Sequence, residues 1–111
     1  MAYALTLTAN YAVYTFNSML PTDIAAVRCA CGLTQAALGQ TLNVHVLTVS
    51  KWARGALVPD ARDVAILVGL TKLDYAAAKA VGEAVKTALA TEGSLAAYRL
   101  LLDAAIPKGA V

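Results

Sequence analysis

Charge is missing from the start of this chain. Residues 1–22 contain no Asp, Glu, Lys or Arg, so they lack the basic start of a secretory leader. Chemistry-bearing side chains are scarce throughout. One histidine and two cysteines leave too few ligands for a structural zinc site, and Cys29 and Cys31 sit too close together for an ordinary disulfide. No glycine-rich phosphate loop, nucleophile-elbow serine or acidic cluster beside His45 is present, so an enzyme is not expected and no cofactor is called for. Every apolar run is broken by Thr, Asn, Ser, Lys or Asp well before the ~18 residues of a membrane span. Disorder is excluded from the other side: 59% of the residues are hydrophobic and 14% charged, the reverse of a disordered composition. A cytoplasmic protein with one hydrophobic core is the expectation.

What is abundant is alanine, the best helix former and the commonest residue here, so the body of the chain is expected to be helical. The net charge of +2 is small and evenly spread: residues 23–63, with Arg28, Lys51, Arg54 and Arg62 against Asp23, Asp60 and Asp63, contribute +1, and residues 64–111 the other. No segment forms a basic run. Nucleic-acid binding would therefore rest on a few well-placed residues, acting in an oligomer.

Residues 3–13 alternate, with Tyr3, Leu5, Leu7, Ala9, Tyr11 and Val13 on one side, as in a short strand. Over 9–20, Ala12, Phe16, Met19 and Leu20 fit one face of a helix equally well. Both readings stay open. From Pro21 the punctuation sharpens. Pro21 or Thr22 opens a helix with Asp23 in its first turn, and Gly32 stops it near Cys31. Thr34 caps a second helix, Gln35 to Leu42, followed by Asn43, which tolerates positive φ. A third runs from Val46 to Ala53 and ends at Gly55; Pro59-Asp60 opens a fourth to about Leu70. Asp74 and Ser94 read as caps of helices over 75–91 and 95–105, with Gly93 between them, and the last few residues read as frayed. Lys79 and Glu83 read as a solvated stripe, and His45 as a residue that caps or flanks the third helix.

The stretch from Gly32 to Pro59 is the specific signal. Leu38 and Leu42 share one face of the second helix, Val49 and Trp52 one face of the third, and Val44 closes the space between them. Gly39 sits where the two helices approach. A third helix held in this way projects its other face outward, as a major-groove reader must. In register across this stretch are Gly32, Leu33, Thr34, Gln35, Leu38, Gly39, Leu42, Asn43, Val44, Val49, Ser50, Trp52, Gly55 and Pro59. On these residues the segment resembles the Cro and lambda-repressor type of helix-turn-helix domain, also called XRE-like.

The resemblance covers residues 21–71. It implies a mainly α, five- to six-helix lambda-repressor-like fold with the helix-turn-helix DNA-binding domain at 21–71. Beside that domain the sequence reads as a C-terminal helical extension at 72–111 and an apolar N-terminal extension at 1–20, with a short β-strand as one reading of the latter. It also implies a transcriptional regulator, a repressor of phage, plasmid or mobile-element type, that binds operator DNA as a homodimer. Gln35 then matches the residue that opens the second helix and touches the DNA backbone. Val46, Leu47 and Lys51 fall where the recognition helix meets base edges, with Thr48 beside them. Arg54 reads as a phosphate contact or a surface charge rather than as a base reader. Ala53 replaces a glutamate that commonly pairs with the arginine at Arg28, which leaves Arg28 for a phosphate. Ala56-Leu57-Val58 stand where relatives often carry basic residues. The alternative is a helix-turn-helix module reused to bind a protein, antitoxin-like or antirepressor-like, with Val46 and Leu47 as docking residues rather than thymine-methyl contacts. The uncharged residues 1–22 are expected either to pair across a two-fold axis and hold the dimer, or to cap the core of one monomer.

Overall fold

The structure, a computed structural model, describes residues 20–106, which form six α-helices and no strand. The strand and helix readings of the N-terminal segment and the fraying of the last residues lie outside this range.

Each helix begins and ends on local chemistry. Helix α1 (Pro21–Cys31) has proline in its first turn, and the Asp23 carboxylate accepts the Leu20 N–H at 3.0 Å. It stops at Gly32, whose φ of 71° lets the Gly32 and Leu33 N–H groups donate back to the carbonyls of Cys29 and Arg28. Thr34 Oγ1 accepts from Ala37 N–H at 3.0 Å and opens α2 (Gln35–Leu42). Asn43, at φ 61°, ends it. His45 opens α3 (Val46–Ala53), its Nδ1 accepting from Leu47 N–H at 3.0 Å. Asp60 and Asp74 cap α4 (Ala61–Leu70) and α5 (Tyr75–Thr91) in the same way, at 3.0 and 2.7 Å. The exception is α6 (Ser94–Ala105). Ser94 is its first residue rather than its cap, and Gly93, at φ 108°, takes the cap position with no side-chain bond. The chain reverses sharply after α5, and that backbone conformation suits glycine.

The six helices share one core. Ile24, Val27 and Cys31 of α1 meet Val85 and Ala88 of α5; Leu38 and Leu42 of α2, Val49 and Trp52 of α3, and Ile66 and Leu67 of α4 continue it to Ala97 and Leu101 of α6. Helices α5 and α6 pack on each other, α5 against α1 and α2, and α6 against α2 and α4. Small residues set how closely they approach. A Cβ on Gly82 of α5 would overlap the Cys31 carbonyl oxygen at the end of α1, and one on Gly69 of α4 would overlap the Ala105 carbonyl of α6. Arg62 ties three helices together at the surface. Its Nη2 donates to the Leu42 carbonyl and to Asp63 Oδ1, each at 3.3 Å, and its guanidinium lies 5.7 Å from the Tyr98 ring centroid. Lys79 and Glu83 are both exposed, and Glu83 pairs with Lys86, three residues on, at 3.1 Å.

Candidate functional site

The turn between α2 and α3 dictates what α3 presents. Asn43 takes the left-handed conformation, Val44 N–H donates to the Gly39 carbonyl at 2.9 Å, and a Cβ on Gly39 would lie 2.8 Å from the Val44 carbonyl oxygen. Only a residue without a side chain allows this closeness. Val49 and Trp52, 1% and 2% exposed, then pin α3 to the core. The helical period leaves Leu47, Ser50, Lys51 and Arg54 on a single face. Leu47 is 61% exposed, Lys51 and Arg54 are exposed, and Ser50 is half-buried. Val46 stands at the exposed start of the helix and Thr48 is half-buried at its side.

Five of the residues singled out from sequence thus sit on or just after α3: Val46, Leu47, Thr48, Lys51 and Arg54. Gln35 is the first residue of α2, the helix packed directly on α3, and is half-buried. Arg28 is differently employed. Its Nη1 donates to the Leu33 carbonyl at 2.9 Å and braces the link between α1 and α2. Arg54 bends back along its own helix, with Nε donating to the Ser50 carbonyl at 3.4 Å. His45 spends Nδ1 on the helix cap, as a residue flanking α3 should.

Two features were missed from sequence. Ser50 lies between Leu47 and Lys51 on the outward face, a position that the three- and four-residue spacing contains. The second is an absence: between Asp23 and Asp60 there is no acidic residue, so α2, the turn and α3 carry Lys51 and Arg54 with no carboxylate of their own. A tally of net charge hides this, because the compensating acids are Asp23 and those from Asp60 onward. After α3 comes an apolar loop in which Leu57 is 45% and Val58 70% exposed.

The buried titratable groups lie elsewhere. Burial pushes the Asp63 carboxyl above its ordinary value, Asp60 adds to the rise, and Arg62 opposes it. Burial likewise raises the Cys31 thiol. Cys29 is exposed, and both cysteines are free. Among the described residues no three His, Cys, Asp or Glu side chains come together as a metal site, and no helix is long and apolar enough to cross a membrane.

Comparison with known proteins gives no relative: no family model, no curated protein and no solved structure matches this chain.

Proposed function

We propose that this protein is a sequence-specific DNA-binding regulator, with α2, its turn and α3 acting as a helix-turn-helix of the lambda-repressor type and α3 as the helix that enters the major groove. The observation that carries the reading is the outward face of α3. Leu47, Ser50, Lys51 and Arg54 project from a helix whose opposite side is locked by Val49 and Trp52, on a segment without acidic residues. Each type of side chain has a use against DNA. The Lys51 ammonium donates to guanine O6 and N7, Leu47 and Val46 pack on thymine methyls, and Thr48 and Ser50 offer hydroxyls to either base edge. Gln35 and Arg54 bond phosphate oxygens, which fixes register without reading sequence. Arg28 supports this surface indirectly, by bracing the loop that leads into α2. Two copies would place their α3 helices about one helical turn, ~34–36 Å, apart on a two-fold operator.

A second reading has its own observation. Val46, Leu47, Leu57 and Val58 are large, apolar and exposed on and just after α3, which favours a protein partner. Selection of bound duplexes from a random pool, followed by gel shift, separates the two. A selected site bound more tightly than scrambled duplex supports the regulator; equal affinity for every duplex refutes it.

A further inference from the structure

A groove of ≈ 400 Å³ lies beside α1, lined by Ala26, Val27 and Ala30 and closed by Leu70, Leu73 and Tyr75 from the end of α4 and the start of α5. It is distinct from the α3 face and plays no part in the function proposed above. Asp23 and Thr71 supply the polar side chains of the lining beside the Tyr75 hydroxyl, the Asp23 carboxylate accepting the Leu20 N–H at one end of α1, and the rest of the groove is apolar. Tyr75 at its rim is 71% exposed.

We infer that this groove is the docking site for the chain's own first nineteen residues, folded back over α1 within one molecule. Three observations fix the occupant. The first is chemical match. Residues 1–19 hold Tyr3, Leu5, Leu7, Tyr11, Val13, Tyr14, Phe16 and Met19 and no charged side chain, so they bring no ion of their own that would have to lose its water against the apolar stretch of the groove from Ala26 to Ala30. The second is where the chain enters. Leu20, 58% exposed, is the N-cap of α1, so the segment joins the fold directly at the helix whose Asp23, Ala26, Val27 and Ala30 line the groove. The third is reach and tethering. Nineteen residues extend to about 60 Å, more than the 46 Å long axis of the molecule, so the whole groove lies within range. A short tether keeps the segment at an effective concentration on the order of millimolar, far above that of a second copy at micromolar protein. Left uncovered, the segment would be a large apolar patch of the kind monomeric proteins avoid.

The test is isotope-edited NMR of the full chain. Cross-peaks are expected between side chains of Leu5, Leu7, Val13 or Met19 and the methyls of Ala26, Ala30 or Leu73. Ala30→Glu should abolish them by placing a charge in the groove, while Ala90→Glu on an exposed part of α5 leaves them unchanged. Mixing differently labelled chains distinguishes the source: cross-peaks arising only between chains mean that a second copy fills the groove, and the inference fails. It fails equally if the full chain shows no cross-peaks there. Neither outcome bears on DNA binding, which is read on a different face.

Discussion

Gly82→Ala should destabilise the protein although it replaces the poorest ordinary helix former with the best. Gly82 lies in the middle of the 17-residue α5, where alanine would by propensity alone gain about 1 kcal/mol. A Cβ at that position, however, would overlap the Cys31 carbonyl oxygen and lie 2.6 Å from the carbonyl carbon and 3.0 Å from the Cα. These are backbone atoms at the end of α1, and no side-chain rotation relieves the clash; α1 and α5 must separate. Overpacking of this kind costs about 1–3 kcal/mol and sometimes more, and here it also disturbs the Gly32 turn and the Arg28 brace on Leu33. Because the clash is with backbone, the upper end of that range, about 3 kcal/mol, applies. Less the propensity gain of about 1 kcal/mol, the net loss should be about 2 kcal/mol, a fall in Tm of roughly 10 °C for a domain of this size. Urea and thermal unfolding followed by circular dichroism read it directly. Ala80→Gly, two residues away on the exposed side of the same helix, is the control and should cost about 1 kcal/mol from propensity alone. If Gly82→Ala leaves the protein as stable or makes it more so, the close contact of α1 with α5 is not there.

The remaining expectations concern DNA and pH. Lys51→Ala should weaken binding to the selected duplex by about 1–3 kcal/mol and relax selectivity at one base pair, whereas Gln35→Ala should weaken all duplexes alike; unchanged binding by Lys51→Ala removes its base-reading role. With about three phosphate contacts per protomer, a dimer should show a log–log salt slope of roughly −5, and a slope near zero would argue for a protein partner instead. The folded-state pKa of Asp63 is raised, so this group's stabilising contribution is full below the ordinary value of 3.8 and is lost as pH rises through the folded value. Asp63→Asn should therefore flatten this part of the stability–pH curve and leave the protein at least as stable at neutral pH, since an amide oxygen still faces Arg62; an unchanged pH slope in urea titrations would show that Asp63 is not the group responsible.

The sequence carried its local punctuation openly and its long-range contacts hardly at all. Gly32, Thr34, Asn43, Asp60 and Asp74 each act within three or four residues of themselves, so turn and cap chemistry sufficed to bound five of the six helices. The cap of α6 was misassigned to Ser94 because a serine after glycine imitates a cap, while the geometry of the reversal puts Gly93 there. The outward face of α3 was legible because Val49 and Trp52 announce its buried side. The employment of Arg28 was not, since its partner is a backbone carbonyl five residues away that has no sequence signature. Gly69 and Gly82 have no local signature at all. Their meaning depends on which carbonyl crosses above them, and that is decided by the packing of helices distant in the chain.

The common core has a practical corollary for anyone wishing to transplant the α2–α3 unit. A piece ending at Leu70 would keep every residue of the candidate surface and still strip the cover from Leu42, Ile66 and Leu67, all fully enclosed in the intact bundle. Exposing three such side chains forfeits about 1.5–3 kcal/mol each, a large share of what a domain of this size has in reserve. The portable unit is the whole bundle, and grafts or fusions should leave α5 and α6 attached, even though neither contributes a side chain to the face they hold in place.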